Sequence, residues 1–266
     1  MSVITNYAPG TPCWVDFGSP DLDASIEFYG ALFGWEAPET EASQQFGGYR
    51  QATLGDKPAV GMMPLMQEDQ PIAWTTYISV EDADATAAKV TDAGGTVIAE
   101  PDDVGDLGRM AVFADPTGAV FGIWQPNAFP GAGIVNEPGT LSWNELNTRD
   151  IEGAKAFYGA VFDWTYDDAV FDGTGTYTRI KLGDRLVGGM LDQDARGVPA
   201  EIPAYWQVYF AVDDTDATVE QAKAAGASVM VEPMDVPAGR LAILTDPHGA
   251  SFAVIASSEE ALETAL

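Results

Sequence analysis

Cysteine and histidine are almost absent from the 266-residue sequence, which contains one of each. The single cysteine, Cys13, cannot form an internal disulfide, and this fits a reducing cytosol. The single histidine, His248, lies in an Asp-Pro-His-Gly sequence typical of a turn, and one imidazole cannot supply a site that needs two. We therefore expect a cytoplasmic protein without disulfides and without a two-histidine metal centre.

Basic residues and long apolar runs are also scarce. There are 12 Lys and Arg against 41 Asp and Glu, and the net charge of −29 argues against nucleic acid or an anionic membrane as a partner. No apolar run approaches the ~20 residues of a membrane span. The start, MSVITNYAPG, lacks the basic and apolar segments of a signal peptide. The hydrophobic fraction of 46% still allows packed cores, so these patterns favour an acidic globular protein.

An internal repeat dominates the organisation of the chain. Residues 9–36 return as residues 138–165, and both copies carry a Trp in a predicted strand, a helix with Phe-Tyr-Gly and a closing Trp. Within each half, a second strand, helix and hairpin follow, and a Pro- and Gly-rich linker at 126–139 separates the halves. The sequence therefore predicts four βαβββ-like units in two α+β domains, residues 1–128 and 129–266.

Four such units in two pairs, with the helix-Gly-Gly-strand and Asp-Pro-x-Gly hairpin patterns, resemble the vicinal oxygen chelate superfamily. That superfamily holds glyoxalase I, bleomycin-resistance proteins and extradiol dioxygenases. More narrowly, the chain resembles the tandem glyoxalase-like proteins of actinobacteria, some of which are accessory proteins in aromatic polyketide pathways. The resemblance implies two tandem glyoxalase-like domains, each forming a cup-shaped sheet. It says little about function, because function lies in the site that each scaffold carries.

Metal-bearing members of that superfamily hold their metal in the cup with His or Glu ligands, one from each of four strands. The resemblance places these positions at Trp14, Gly61 to Met63, Thr75 and Gly122 in the first domain, and at Trp143, Gly188 to Met190, Gln207 and Ala253 in the second. None is a histidine or a carboxylate, whereas transition-metal sites need such donors around one ion. We therefore expect no metal, no cofactor, and neither glyoxalase I nor ring-cleaving dioxygenase chemistry.

Other charged positions have simpler interpretations. Acidic runs beginning at Asp82 and Asp213 could bind Mg or Ca through oxygen ligands, but they lie at predicted helix starts, where acids cap the helix. Arg109 and Arg240 recur before a hairpin strand in each domain. They either pair with acids or clamp an anionic ligand, and pairing is favoured in so acidic a chain.

Strand alternation assigns the side chains that line the cups. If Val15 and Phe17 face the helix, then Trp14 and Asp16 face the first cup, and Cys13 faces the helix. The same alternation places further aromatic and polar side chains inward: Thr75, Tyr77 and Trp124 in the first cup, and Trp143, Glu145, Asn147, Gln207 and Tyr209 in the second. Tyr49, Tyr177 and Arg179 are secondary candidates, since their strands alternate less clearly. Aromatic walls with a few polar groups suit a planar organic ligand, and the alternative is that Trp14 and Trp143 fill the cups as core.

Asp16 and Glu145 are the candidate catalytic residues. Each is an acid predicted on the inner face of a strand beside a Trp. A carboxylate that packs against an indole is partly desolvated, and desolvation raises its pKa. A carboxyl group with a raised pKa is suited to proton transfer. The alternative is a carboxylate that accepts hydrogen bonds from neighbouring groups and does no chemistry.

These residues, together with what the resemblance implies about biological role, leave three functions open. The first is a metal-independent protein, monomer or homodimer, that binds a small planar organic molecule in a drug-binding or natural-product accessory role. The second is a metal-free enzyme that uses Asp16 or Glu145 as general base for isomerisation, cyclisation or hydration of a polyketide-like substrate. The third, a metal-dependent glyoxalase or dioxygenase, is disfavoured by the missing ligands.

Overall fold

Each half of the chain forms one mixed β-sheet in the computed structural model, which describes residues 4–67, 70–171 and 175–258. The elements of the first half are β1 (Pro12–Ser19), α1 (Leu22–Phe33), α2 (Glu41–Gln45), β2 (Arg50–Leu54), β3 (Lys57–Pro64), β4 (Trp74–Ser79), α3 (Ala83–Asp92), β5 (Thr96–Val104), β6 (Gly108–Ala114) and β7 (Val120–Pro126). Those of the second half are β8 (Leu141–Thr148), α4 (Ile151–Phe162), β9 (Thr165–Phe171), β10 (Gly175–Leu182), β11 (Arg185–Asp192), β12 (Tyr205–Ala211), α5 (Thr215–Ala224), β13 (Ser228–Val236), β14 (Gly239–Thr245) and β15 (Ser251–Ser257).

The two sheets have the same strand order, except that the second has one more edge strand, β9. The first runs β2-β3-β1-β4-β7-β6-β5, and the second runs β13-β14-β15-β12-β8-β11-β10-β9. In the first sheet β1 pairs parallel with β3 and antiparallel with β4, so the two units join through their first strands, and β8 and β12 repeat this arrangement. The predicted α+β architecture of two tandem domains is therefore confirmed, whereas the boundary between residues 128 and 129 stays a prediction.

Helix ends follow from local side-chain chemistry. The Asp82 and Asp214 side chains accept hydrogen bonds from the amides of Ala85 and Ala217, so both acids cap a helix, as predicted. Gly34 ends α1 in the left-handed region at φ 76°. None of the helices within residues 4–67, 70–171 and 175–258 has the length and apolar character to cross a membrane.

The helices lie on the faces opposite the cups, in cores that both domains share. One core joins residues of β1 and α1 with residues of β12, α5 and β15 from the other domain. Phe33 of α1, for example, packs against Phe210 at 5.0 Å between ring centroids. A second core joins α3 and its sheet with α4 in the same way. The two domains therefore bury their helices against each other, and the Phe-Tyr-Gly repeat is the interdomain packing motif.

Hydrogen bonds between the domains repeat with the same symmetry. The Tyr29 hydroxyl donates to Asp246 Oδ2 at 2.9 Å, and the Tyr158 hydroxyl donates to Asp115 Oδ2 at 3.0 Å. Each aspartate belongs to an Asp-Pro-x-Gly turn of the opposite domain. Each Tyr hydroxyl also accepts a hydrogen bond from an indole of its own domain. For example, Trp74 Nε1 donates to the Tyr29 hydroxyl at 3.1 Å. These buried polar groups are therefore paired, which a buried polar group requires.

Candidate ligand-binding cups

The floor of the first cup is a cluster of Trp14, Asp16, Tyr49 and Tyr77. The Trp14 indole donates to the Tyr49 hydroxyl at 2.8 Å, and the Tyr77 hydroxyl hydrogen-bonds to Asp16. Tyr49 directly precedes β2, and its side chain lies over Gly61 of β3. A Cβ at position 61 would collide with the Tyr49 hydroxyl. Gly61 therefore makes room for the phenol, so the glycine is a packing requirement of this site.

The floor of the second cup repeats the cluster with one more polar partner. The Trp143 indole donates to the Tyr177 hydroxyl at 2.8 Å, and the Tyr209 hydroxyl donates to Glu145 Oε1 at 2.9 Å. Tyr177 also hydrogen-bonds to Glu145, and Asn147 Nδ2 lies 3.4 Å from the same Oε1. The structure therefore brings Trp143, Glu145, Asn147 and Tyr209 together with Tyr177, which was a secondary candidate because alternation is less clear in its strand.

Burial sets the electrostatics of both carboxyl groups. Asp16 is 6% exposed, and this desolvation raises its pKa from the ordinary 3.8 to about 7, although the hydrogen bond from Tyr77 acts in the opposite direction. Burial also raises the pKa of Glu145, which is opposed by hydrogen bonds from Tyr209, Tyr177 and Asn147 and by the charge of Arg196. The charged form of Glu145 is therefore stabilised by more hydrogen-bond donors than the charged form of Asp16.

Neither cup has the donor set of a transition-metal site. In the first, Gly61 and Gly122 are covered by the phenol of Tyr49 and the ring of Tyr77, and Trp14 presents an indole. Among residues 4–67, 70–171 and 175–258, no three His, Cys, Asp or Glu side chains come together as ligands. Within the part of the chain that the structure describes, each floor cluster has one hydrogen-bonded carboxylate, which is too few donors for Zn, Fe or Mn. The residues present therefore do not fit the metal of the metal-bearing members of the superfamily.

The first cup is covered by the chain's own interdomain segment. The Phe129 ring packs edge-on against Trp14 at 5.0 Å and contacts Trp124 at 6.0 Å, and Trp124 Nε1 donates to the Phe129 carbonyl at 2.8 Å. Further along, the Tyr7 hydroxyl donates to the Ala132 carbonyl at 2.7 Å. Trp14 is consequently only 5% exposed. In the first cup, Trp14 and Trp124 therefore act as core residues.

The second cup keeps part of its aromatic wall accessible. Trp143 is half-buried, and Tyr205, which borders the same cup, is half-buried as well. Gln207 is buried and accepts from Ser251 Oγ at 2.7 Å, so it belongs to the floor. Arg179 pairs with Asp167 across neighbouring strands at the rim. In the first cup, Thr75 lies beside Asp16 in the β1–β4 pairing and is half-buried.

Cys13 is where simple alternation fails. The pairing of β1 with β4 shifts register between Pro12 and Trp14, and this irregularity places Cys13 in the apolar cluster around Trp14. The expectation that it faces the helix is therefore wrong. Its thiol donates to the Tyr77 carbonyl at 3.5 Å, and burial raises its pKa, so it is a protonated packing residue.

The recurring arginines outside the cups pair with acids. Arg109 forms ion pairs with Asp84 and Asp103, at 3.1 and 2.8 Å. Arg240 does the same with Asp216 and Asp235 in the second domain. The ion-pairing interpretation is therefore confirmed for both arginines.

Comparison with known proteins assigns the family. The model of the Glyoxalase/Bleomycin resistance protein/Dioxygenase superfamily matches residues 14–123 and again residues 140–254. The chain therefore belongs to this superfamily and carries two copies of its domain.

Curated relatives are similar over almost the entire chain. "Putative glyoxylase CFP32" of Mycobacterium bovis is 44% identical over 255 residues, covering 94% of this chain and 96% of the relative. Anthracycline biosynthesis protein DnrV of Streptomyces peucetius is 41% identical over 267 residues, covering 95% of each. Among solved structures, the Mn(II)-bound glyoxalase from Novosphingobium aromaticivorans matches with a TM-score of 0.63 at 18% identity, covering 92% of this chain and 82% of that one. At that identity, the match shows the fold alone.

Proposed function

We propose that this protein binds a small planar aromatic molecule in its second cup, without a metal ion, as an accessory protein of natural-product metabolism. The difference between the two cups carries this proposal. Phe129 covers Trp14 in the first cup, whereas the corresponding indole of Trp143 stays half-buried. An amphipathic ring beside a few fixed polar groups is the usual lining of a small-molecule site.

The polar groups around Trp143 support an aromatic ligand that carries oxygen substituents. Glu145 and Asn147 supply acceptors and a donor, and the Tyr177 and Tyr209 hydroxyls fix the carboxylate in place. Two of the relatives, DnrV of Streptomyces peucetius and DauV of Streptomyces sp., are named for anthracycline biosynthesis. Their similarity supports a role beside enzymes that make an aromatic natural product.

A matched pair of variants tests this proposal. We expect 1,8-dihydroxyanthraquinone to bind the purified protein in isothermal titration calorimetry, and Trp143→Ala to weaken binding about tenfold, because losing an aromatic contact costs ~1.4 kcal/mol. Tyr177→Phe removes the hydroxyl that holds the Trp143 indole, so it should weaken binding as well. Tyr49→Phe removes the equivalent bond to Trp14 in the covered cup and should leave affinity unchanged. Equal effects of the two Tyr→Phe variants would refute the assignment to the second cup.

A second candidate function is proton transfer by a cup carboxylate, and the raised pKa of both Asp16 and Glu145 favours it. In that case the general base acts in isomerisation, cyclisation or hydration of a polyketide-like substrate. Glu145→Gln would then abolish turnover and leave substrate affinity intact, since the amide keeps the shape of the carboxylate. If turnover survives in both Glu145→Gln and Asp16→Asn, neither carboxylate is the base.

A further inference from the structure

The second cup carries a row of four side chains near the end of β8 that is distant from Trp143. Asn147 of β8 pairs with Tyr205 of β12 on one side and with Leu191 of β11 on the other. Leu191 pairs in turn with Tyr177 of β10. Directly opposed residues of neighbouring strands place their side chains on the same face, so these four side chains form one row across the cup. Two half-buried phenols therefore flank a buried amide and a leucine.

The Tyr177 side chain connects this row to the Trp143 indole. Its phenol extends from the row over Gly189, and its hydroxyl accepts from Trp143 Nε1 at 2.8 Å. Trp143 and Asn147 are four residues apart on one strand, a separation of about 13 Å. The Tyr177 ring covers this interval on the cup floor, so a planar ligand beside the indole reaches the row along the phenol.

The Asn147 amide has an orientation that chemistry fixes. Its Nδ2 lies 3.4 Å from both the main-chain carbonyl oxygen and Oε1 of Glu145. Both of those atoms are acceptors, so the reverse orientation would set oxygen against oxygen. Oδ1 therefore points away from Glu145, and it accepts no hydrogen bond from the residues that the structure describes, although Asn147 is only 7% exposed. An acceptor on so buried a side chain calls for a donor.

Tyr205 supplies the second polar group of the row. Its side chain is half-buried, and within residues 4–67, 70–171 and 175–258 its hydroxyl makes no hydrogen bond. Burial and the charge of Glu145 both raise the pKa of this phenol, so it stays a protonated donor. Tyr205 shares the alternation of Gln207 and Tyr209, so the sequence pattern could have identified it as a cup residue.

The first cup lacks this polar pair. The repeat places Gly18 where the second domain has Asn147, and Ala73 where it has Tyr205. The space above Gly18 is occupied by the side chains of Leu65 and Gln70, which a Cβ at position 18 would meet at 3.2 and 3.3 Å. The pair is therefore specific to the cup whose indole stays accessible.

We propose that Asn147 and Tyr205 together bind a neutral phenolic hydroxyl of a planar aromatic ligand whose ring lies beside Tyr177. The ligand O–H donates to Asn147 Oδ1, and the ligand oxygen accepts from the Tyr205 hydroxyl. This inference rests on the proposed function and specifies the ligand class as an aromatic molecule with a free hydroxyl. An alkylated oxygen still accepts from Tyr205, but it leaves the acceptor of Asn147 without a donor. Asn147 therefore distinguishes a phenol from its ether.

The test compares 2-naphthol with 2-methoxynaphthalene in fluorescence titrations of the full chain at about pH 6, well below the pKa of a phenol. The unmodified protein should bind naphthol about tenfold more tightly than the ether, because one hydrogen bond distinguishes them. Asn147→Leu should weaken naphthol binding alone, about tenfold, and so remove the preference. Tyr205→Phe should weaken both probes, because both oxygens accept from its hydroxyl. Tyr166→Phe is the matched control: its half-buried phenol packs on the helix side of the sheet, its hydroxyl also lacks a described partner, and neither affinity should change.

The outcomes separate the hydroxyl site from the proposed function. Equal affinity of the unmodified protein for naphthol and ether would overturn the hydroxyl site, and this result does not depend on whether a variant folds. A preference that survives Asn147→Leu, with ether affinity intact, would overturn it as well, while aromatic binding in the cup stands. If the unmodified protein binds neither probe and also fails to bind dihydroxyanthraquinone, the proposed function itself is refuted.

Discussion

The buried carboxyl of Asp16 makes the stability of this protein depend on pH in a defined direction. Its pKa is 3.8 in an unfolded chain and about 7 in the folded one, because burial disfavours the carboxylate. The folded state therefore binds this proton more tightly than the unfolded state. The stability that this group contributes is fully present below about pH 4 and is lost as the pH rises to about 7.

The size of this effect follows from the difference between the two pKa values. About three pH units at ~1.4 kcal/mol each amount to about 4 kcal/mol, and Asp16 is too buried for solvent screening to reduce this much. Asp16→Asn removes the titration and keeps an oxygen that can accept the Tyr77 hydrogen bond. The free energy of unfolding of Asp16→Asn, relative to the unmodified protein, should therefore rise by about 4 kcal/mol between pH 4 and pH 8.

Urea denaturation at a series of pH values measures this difference directly. Asp56→Asn is the matched control, since Asp56 is an exposed acid in the β2–β3 turn and its curve should run parallel to that of the unmodified protein. Tyr77→Phe removes the hydrogen bond that favours the carboxylate, so it should move the loss of stability to higher pH. A constant difference between Asp16→Asn and the unmodified protein across pH 4–8 would refute the reasoning.

Three further variants test packing at the domain interface and in the second cup. Tyr29→Phe removes the hydroxyl that donates to Oδ2 of buried Asp246 and accepts from the Trp74 indole, so it should cost ~1–3 kcal/mol in the free energy of unfolding. Tyr166→Phe removes a buried hydroxyl that no described residue pairs with and should be nearly neutral. Equal losses would contradict the interdomain role. Gly189→Ala puts a methyl group into the Tyr177 phenol and should cost ~1–3 kcal/mol in thermal or urea denaturation, and an unchanged stability would show that the phenol moves freely.

Much of the fold could be predicted because its causes are local or repeated. The duplication of residues 9–36 at 138–165 required two similar domains, and both sheets show it. Alternation along β1 separated Trp14 and Asp16 from Val15 and Phe17, because a strand points successive side chains to opposite faces. The same rule failed at Cys13, where a register shift that depends on the partner strand interrupts the alternation.

The parts of the site that could not be predicted depend on contacts between distant segments. Alternation places an indole on a face, but it does not say what covers that face, and Phe129 reaches Trp14 from the far end of the domain. The close approach of Tyr177 to Gly189 likewise depends on how β10 pairs with β11.

The amino-acid sequence alone determined that this is a tandem protein with one carboxylate and one indole at matching positions of each first strand, and that its single histidine cannot form a two-histidine site. Only the tertiary structure decided that the two cups differ. The reason is physical: periodicity is a property of neighbours in the chain, whereas burial depends on whichever segment packs on top. Phe129 packs over Trp14, whereas Trp143 stays half-buried.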